Sequence, residues 1–376
     1  MKIGIDAISV TEKAAGFKRY LMQLVKGLAT IDKKNDYILF LNHRSYNLFA
    51  INQLNFKNIK VYTPPKIHFY WGQFYFPLKI MFEKLDLLFS PVSAPPILCS
   101  VKKCVVLHDL AFILFPETIK NKFALFYWKF FMLHGIKKAE NIITDSKSTK
   151  SYLMSHLYVP DKKIEVIYGF INNEFKKIED DNVIKSVKEK YNLPTKYILY
   201  VGTIEPRKNI STLIKAYYKI RKESVIKHSL VIVGKKGWGY SNIFETIKEL
   251  NLEDDIIFTG YVPDKDLPAL YNAADLFVYI PLHEGFGYPP LEAMSCEIPV
   301  VVSKTSSLPE IVGDGGILVD PYNVDEIAEQ IIKLLRNEQL RKRIANKGYS
   351  RTKNFYMEKS IDKILEVFRD ITERKK

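Results

Sequence analysis

The sequence of 376 residues is short of cysteine, low in glycine and proline, and free of long apolar runs. Its three cysteines are Cys99, Cys104 and Cys296. Their odd number and lack of paired metal-ligand spacing argue against a disulfide scaffold or a zinc site and favour a reducing compartment. With 17 Gly and 18 Pro the chain is not low-complexity. Lys129 interrupts the most apolar stretch (123–133), and Asp6 breaks any signal-peptide core, so we expect no membrane-spanning segment.

The composition that remains is that of an ordinary folded chain, with 47% hydrophobic and 26% charged residues. The length is about two to three times the commonest domain size, which predicts two domains with separate cores.

Positive charge is concentrated in the first part of the chain. The net charge is +14, and residues 1–150 hold 22 Lys and Arg against 10 Asp and Glu. Such a field favours polyanions, whether nucleic acid, an anionic lipid surface or a phosphorylated substrate, and does not choose between them.

Two stretches in this part, residues 66–79 and 120–138, combine aromatic rings with flanking lysines. Trp and Tyr beside Lys suit the headgroup region of a bilayer, so an anionic membrane surface is one expected partner. The alternative is that the rings are core residues and the lysines a solvated surface. No recognised nucleic-acid motif accompanies them, and we do not expect nucleic acid as a partner.

Short apolar runs alternate with amphipathic helical patterns, which is typical of largely parallel α/β sheets. Strands are predicted at 2–5, 37–41, 87–89, 104–107, 141–144 and 165–167, and again at 197–201, 229–233, 256–259, 276–280 and 299–302. Helices of the second part are predicted at 210–222, 240–250, 264–274, 290–295, 324–336 and 356–374. The sequence therefore predicts two doubly wound, Rossmann-like α/β domains that face each other, at 1–171 and 191–355, with a linker at 172–190 and a last helix, 356–376, that crosses back to the first domain.

Ligands of such sheets bind beyond the carboxyl ends of the strands, so the residues after each predicted strand are the candidates for a site. After the strand 276–280, Gly285 and Gly287 let backbone N–H groups approach a ligand, and the helix that follows would favour a phosphate at its N-terminus. Glu284 and Glu292 flank this loop, and carboxylates accept hydrogen bonds from sugar hydroxyls. Alone, Glu292 is as well explained as a first-turn acid that complements the helix dipole.

Two further strand ends carry candidate side chains. After the strand 197–201, Arg207 and Lys208 lie on a turn into a helix, where they suit a diphosphate leaving group, although such a pair is often plain surface charge. After the strand 104–107, His108 would orient substrate or shuttle protons, or else be structural. The glycine cluster 234–239 is interpreted as a flexible surface loop.

Taken together, these segments resemble a retaining glycosyltransferase of the GT-B fold, in family 4, of the sort that adds mannose, rhamnose or related sugars to cell-surface polysaccharides. The run from Glu284 to Met294 is the most specific part of the resemblance. Further support comes from Gly202 with Glu205-Pro206-Arg207-Lys208-Asn209, His108-Asp109, Gly16 with Arg19-Tyr20, Ser307-Leu308-Pro309-Glu310 with Gly313, and Asp320-Pro321. Many members have an arginine where this chain has Thr203, which leaves more of the phosphate contact to Arg207 and Lys208.

The resemblance implies roles for these residues. Glu284 would contact the donor sugar, Glu292 the ribose, Arg207 and Lys208 the diphosphate, and His108 the transferring sugar. The donor-binding set that it implies also contains Gly16, Gly202, Tyr261, Val262, Gly285, Phe286, Gly287 and Leu291, with the base near Tyr261 and Val262.

The activity implied is transfer of a hexose from a nucleoside-diphosphate sugar to a saccharide or lipid-linked acceptor, with retention at the anomeric carbon and with neither a metal nor a cofactor. The expected location is cytoplasmic, peripheral on the inner face of the plasma membrane. Two alternatives stay open, a nucleotide-sugar-binding protein without turnover and a hydrolysing epimerase of the same fold. A dinucleotide-dependent oxidoreductase is disfavoured because no G-x-G-x-x-G follows either first strand.

Overall fold

Two parallel β-sheets organise the chain. The computed structural model describes residues 1–10, 15–42, 58–62, 75–92, 95–118, 121–171, 173–223 and 226–374. Most of the ring-rich stretch 66–79, Lys120, and the side chains of Tyr127 and Trp128 lie outside the described residues. The chain divides into two units, Met1–Phe170 with Met357–Lys376, and Ile171–Tyr356.

The first unit is built on a seven-stranded sheet in the order β3-β2-β1-β4-β5-β6-β7, with every pairing parallel. Its strands are β1 (Lys2–Ala7), β2 (Asp36–Leu41), β3 (Ile59–Tyr62), β4 (Leu87–Ser90), β5 (Lys102–Leu107), β6 (Asn141–Thr144) and β7 (Ile164–Val166). Its helices up to residue 170 are α1 (Ala15–Ile31), α2 (Phe76–Glu83), α3 (Ala111–Leu114), α4 (Lys122–Lys138) and α5 (Lys147–Leu157). The strands are near-continuous apolar runs because both faces of a parallel sheet are covered.

Helices α2 and α4 cover the same face of this sheet. Leu88 pairs with Lys103 across β4 and β5, and Val105 follows two residues later, so Leu88 and Val105 point to one face. Leu88 packs in a cluster with Phe76 and Ile80 of α2, and Val105 in a cluster with residues of α4. The outward surfaces of the two helices therefore lie on one side of the first unit.

The second unit is built on a six-stranded parallel sheet in the order β10-β9-β8-β11-β12-β13. Its strands are β8 (Tyr197–Val201), β9 (Ser229–Val233), β10 (Ile256–Gly260), β11 (Leu276–Tyr279), β12 (Val300–Ser303) and β13 (Ile317–Val319). Its helices are α6 (Asp181–Lys190), α7 (Ile210–Lys222), α8 (Ser241–Glu249), α9 (Leu267–Asn272), α10 (Tyr288–Ser295), α11 (Leu308–Val312), α12 (Val324–Arg336) and α13 (Glu338–Thr352). The chain builds outward from β8 in one direction and from β11 in the other, which makes the carboxyl ends of these two strands the switch point of the sheet.

Residues 172–190, which the sequence analysis treats as a linker, are more than a connection where the structure describes them. The Ile178 amide donates to the Asn272 side chain at 2.8 Å. Residues 172–190 also include α6, which begins after the capping residue Asp180. At the end of α6, the Lys190 ammonium and the Tyr191 hydroxyl bond to one oxygen of Asp266 at 2.6 and 2.7 Å. These bonds hold the segment on the second unit, and its high charge is why the sequence pattern did not indicate a helix.

The last helix, α14 (Met357–Glu373), belongs to the first unit although it follows the second in the chain. The Lys102 ammonium donates to the carbonyl oxygens of Ile371 and Arg374 at 2.8 and 2.7 Å, at the end of the helix. A Cβ on Gly27 of α1 would lie 2.9 Å from the Ile361 side chain, so the absence of a side chain there lets α1 and α14 approach closely. None of the helices in the described ranges is long and apolar enough to cross a membrane.

Candidate active site

The loops that follow β8 and β11 are joined by hydrogen bonds at the switch point. The Leu282 amide donates to the Arg207 carbonyl at 2.9 Å, and the Asn209 side chain donates to the Ile280 carbonyl at 3.1 Å. Asn209 has a positive φ of 58°, which turns the chain from one short 3₁₀ turn into α7. The basic turn and the glutamate loop, found separately in the sequence, therefore form one site.

Lys208, Tyr279 and Glu284 form a buried polar cluster in this site. The Lys208 ammonium donates to the Tyr279 hydroxyl at 2.7 Å, and that hydroxyl donates to Oε2 of Glu284 at 2.6 Å. Lys208 also pairs directly with Oε2 of Glu284. The other carboxylate oxygen, Oε1, has no hydrogen-bond partner in the part of the chain that the structure describes.

Glu284 is ionised despite its burial. Burial raises the pKa of this carboxyl, but the charges of Lys208 and Arg207 and the bonds from Lys208 and Tyr279 outweigh that effect and lower the pKa to about 2. At neutral pH Glu284 is therefore an acceptor only, and its Oε1 suits a ligand hydroxyl.

Arg207 is held beside this cluster by an ion pair of its own. Its Nη2 and Nε bond to Oε1 of Glu205 at 2.9 and 3.2 Å, and its Nη1 donates to the His283 carbonyl at 3.3 Å. The side chains of Arg207 and Glu205 are 12% and 13% exposed. Each of the two cations, Arg207 and Lys208, thus has a carboxylate partner in this structure.

The glutamate loop is supported from the segment after β12. The Glu284 amide donates to the Ser306 hydroxyl at 3.0 Å, and the Ser307 hydroxyl lies 2.7 Å from the Phe286 carbonyl. Gly287 has a φ of 111°, and a Cβ there would lie 2.6 Å from the Leu308 side chain, so only glycine fits. Ser306 was not among the residues that the sequence indicated.

The other predicted donor-site residues of this loop lie deeper. Gly285, Phe286 and Leu291 are buried, and the Leu291 side chain is a core residue. Glu292 is 3% exposed and accepts a hydrogen bond from the Tyr271 hydroxyl at 2.9 Å. Sequence spacing alone does not reveal Tyr271 as its partner.

Glycines at three neighbouring strand ends form a close-packed edge of the site. The Gly202 amide donates to the Val233 carbonyl, and the Gly234 amide to the Gly260 carbonyl, both at 2.9 Å. A Cβ on Gly234 would lie 1.9 Å from the Gly202 carbonyl oxygen. The Gly237 amide donates to the Ile204 carbonyl at 2.9 Å. The loop 234–239 lies at the surface, as the sequence indicated, with Lys235, Lys236 and Gly239 exposed, but it is also joined by hydrogen bonds to the turn that carries Arg207.

After β10, Tyr261 is 60% exposed and Val262 is buried. Of these two predicted residues, only Tyr261 therefore has a side chain that a ligand can reach.

His108, the candidate in the first unit, bonds to protein through both ring nitrogens. Its Nδ1 lies 2.5 Å from Oδ2 of Asp145, and its Nε2 lies 2.7 Å from the Pro91 carbonyl. A carbonyl only accepts, so Nε2 carries a proton, and with Asp145 ionised Nδ1 carries one too. Burial lowers the pKa of His108, but the charge of Asp145 and the bonds to both nitrogens raise it more. As a proton shuttle, His108 would first have to break one of these bonds.

Gly16, another predicted residue of the first unit, lies in the first turn of α1. A Cβ there would meet no atom within 4 Å, so no close approach requires glycine at this position.

Across the described ranges, no group of three or more His, Cys, Asp or Glu residues could hold a metal ion.

Comparisons with known proteins point to glycosyltransferases. Residues 183–351 match the family model described as "Glycosyl transferases group 1". O-antigen chain mannosyltransferase B of Escherichia coli is 35% identical over 252 residues, 67% of this chain and 66% of that protein. A Campylobacter jejuni N-acetylgalactosamine-N,N'-diacetylbacillosaminyl-diphospho-undecaprenol 4-alpha-N-acetylgalactosaminyltransferase is 30% identical over 63% of this chain and 62% of its own length.

The aligned regions cover only part of each relative. The chain spans just under two thirds of the two relatives above, and 29% to 31% of larger Escherichia coli mannosyltransferases that it also matches.

The fold agrees over nearly the whole chain. The crystal structure of Anabaena Alr3699/HepE in complex with UDP and glucose superposes with a TM-score of 0.75 at 20% identity, covering 97% of this chain and 98% of that one. The predicted fold class, α/β with two doubly wound parallel sheets as in the GT-B fold, is confirmed.

Proposed function

We propose that the protein transfers a hexosyl group from a nucleoside-diphosphate sugar to a saccharide or lipid-linked acceptor in cell-surface polysaccharide synthesis, on the premise that residues 183–351 match the glycosyl transferases group 1 family model. The observation that carries the proposal is the cluster of Arg207, Lys208 and Glu284 at the switch point of the second sheet. It offers cations to a diphosphate and a carboxylate oxygen to a sugar. The names of the relatives support mannose as the sugar and a diphospho-undecaprenol-linked saccharide as the acceptor.

In this proposal, each group acts at one part of the donor. Lys208, Arg207 and the N-terminus of α10 stabilise negative charge on the departing diphosphate. Oε1 of Glu284 accepts a hydrogen bond from a sugar hydroxyl. Glu292, held by Tyr271, binds the ribose, and Tyr261 lies beside the base.

The proposed transfer retains the configuration at the anomeric carbon and needs no metal, because the two cations and the α10 N-terminus supply positive charge at the leaving group. Two measurements test these points. NMR of the product shows whether its anomeric configuration equals that of the donor. Activity in a chelator should equal activity without it, and its complete loss contradicts the metal-free reaction.

The central test is a panel of nucleotide sugars in a thermal-shift assay. A ligand of the folded state at 100 times its Kd adds about 2.7 kcal/mol of stability. The donor identified in this way is then mixed with lipid-linked saccharide acceptors, and release of nucleoside diphosphate is measured. Release that requires the acceptor supports transfer; binding without release indicates a binding protein, and change of the free donor without acceptor indicates an epimerase. The relatives are named for transfer, which favours the first outcome.

We also propose that the first unit works at the inner face of the plasma membrane. Helix α4 buries Met132 and Ile136, yet the opposite side of the same helix exposes Phe123, Phe126 and Phe130, spaced three and four residues apart. A helix that is apolar on its outward side needs a second apolar environment.

Further apolar side chains are exposed on the same side of the sheet, and α4 also carries exposed positive charge. On the same side of the sheet, α2 exposes Leu78, Met81 and Phe82. Lys122, Lys137 and Lys138 of α4 are exposed beside the phenylalanines. Rings that insert at headgroup level while lysines meet lipid phosphate would bring the protein to a lipid-linked acceptor.

A further inference from the structure

Two buried tyrosines on the neighbouring strands β8 and β11 differ in one respect. Tyr200 of β8 and Tyr279 of β11 are 0% and 1% exposed, and their rings are stacked with centroids 5.7 Å apart. The Tyr279 hydroxyl bonds to both Lys208 and Glu284. The Tyr200 hydroxyl is buried and has no hydrogen-bond partner among the described residues.

We infer that Tyr279 is a positioning residue that fixes which oxygen of Glu284 faces the donor sugar, and so sets the enzyme's discrimination for one sugar hydroxyl. The inference rests on the proposed function and deepens it. Terminal carboxylate torsions are broad and roughly two-fold, so the two oxygens of a glutamate exchange easily. At Glu284 both protein donors converge on Oε2, and this leaves Oε1 as the oxygen for a ligand.

Lys208 alone would not hold this orientation. An ammonium is a compact point charge on a flexible stem and can follow whichever oxygen is nearer. The Tyr279 ring packs against the rings of Tyr200 and Phe277, with centroids 5.7 and 6.1 Å away, so its hydroxyl donates from a fixed place. Burial, and then the charge of Glu284, raise the pKa of Tyr279 well above its usual value, so the phenol keeps the proton that it donates.

The experiment compares Tyr279→Phe with Tyr200→Phe, a matched control on the neighbouring strand that removes a hydroxyl without a partner among the described residues. Each variant is assayed with the donor identified by the nucleotide-sugar panel and with its deoxy analogues, and UDP and GDP binding is measured by calorimetry. For Tyr279→Phe we expect kcat to fall roughly 10- to 100-fold, the range for a lost bond to a charged group. We also expect preference over one deoxy analogue to disappear, while affinity for the nucleoside diphosphate changes less than kcat. Tyr200→Phe should behave as wild type.

A double-mutant cycle with Glu284→Gln separates positioning from packing. If Tyr279 acts through Glu284, the Tyr279→Phe change should lower kcat and the sugar preference little further in a protein that already carries Glu284→Gln. The inference is overturned if Tyr279→Phe keeps both turnover and discrimination, if Tyr200→Phe loses as much, or if the two effects are additive. Binding of neither UDP nor GDP by the wild-type protein would instead refute the proposed donor site, and the inference with it.

Discussion

At the scale of single residues, the pairing of His108 with Asp145 gives the protein a pH dependence whose sign can be derived. The pKa of His108 is raised above its usual value near 6.5. A group with a raised folded-state pKa stabilises the fold fully below its unfolded pKa, and this contribution is lost as pH rises through the folded pKa. The ion pair should therefore stabilise the first unit in mildly acid solution and less in alkaline solution.

Asp145→Asn tests this pair. We expect the variant to melt below wild type at pH 6, because His108 loses its charged partner, and we expect the difference to shrink as pH rises above about 7. NMR titration of the histidines should show the His108 pKa falling in the variant. Exposed His156, changed to Gln, is the control and should leave the pH dependence unaltered. A constant difference at all pH values would show that Asp145 acts by packing alone.

Arg207→Ala is the second test at this scale. The change removes a cation that we propose acts at the leaving group, and loss of such a contact raises the barrier by about 3 kcal/mol, or roughly 100-fold in rate. Steady-state transfer by the purified variant measures this, with circular dichroism to verify the fold. Arg221→Ala is the control, because Arg221 lies in the same unit and pairs with Asp255 at 2.7 Å. Equal turnover in both variants would show that Arg207 is not part of the active site.

Strand-end reasoning found some of these residues and could not find others. Arg207, Lys208 and Glu284 follow predicted strands, and the structure brings them together. Tyr279 ends an apolar run and reads as core, and only its position across from Lys208 gives it a polar role. Asp145 follows β6 just as His108 follows β5, so the same rule would have indicated it.

At the scale of helices and strands, the sequence pattern predicts the inner strands and the edge strands β7 and β10, but it misses the edge strands β3 and β13 and several helices of the second unit. Both sheets' inner strands are buried apolar runs with a clear pattern. Strands β3 and β13 are short edge strands of four and three residues, with too few buried positions to stand out. Helix α13 has only four buried residues among its 15, which are Ile344, Ala345, Gly348 and Thr352. Most of its side chains are charged or polar, so the sequence lacks the regular spacing of apolar residues that indicates a helix.

The outward face of α4 gives the prediction at this scale. Phe126→Ser with Phe130→Ser should reduce binding to anionic vesicles about tenfold or more, because a buried Phe contributes roughly 1.5–3 kcal/mol. Sedimentation with anionic and neutral vesicles at low and high salt measures it. Binding by wild type should be salt-sensitive, since screening acts within about 8 Å.

Tyr322, exposed in the second unit, provides the control for that experiment. Tyr322→Ser should leave vesicle binding unchanged. A wild-type protein that ignores both kinds of vesicle would contradict the membrane proposal.

At the scale of the whole molecule, the two units have separate cores. Helix α14 is the element of the first unit that a truncation can remove. Truncation after Tyr356 should destabilise the first unit, because it uncovers Gly27 and the Phe89 ring, which lies 4.9 Å from that of Phe368. Binding of a nucleoside diphosphate should persist, since its proposed contacts lie in residues 202–292. Differential scanning calorimetry with and without UDP or GDP tests both points. Loss of nucleotide binding on truncation would show that the second unit depends on the first.

The place of α14 in the chain also bears on how the protein is made. The ribosome releases residues 1–170 first, but the helix that packs on α1 and on part of their sheet emerges only after residues 171–356. At typical rates of synthesis that interval is roughly 10 to 40 s. During this interval the newly made first unit exposes the surface on which Ile361, Ile364 and Phe368 of α14 later pack. The second unit, although translated later, is therefore the first to have all of its elements, and the apolar surface that the first unit exposes during this interval is the kind to which chaperones bind.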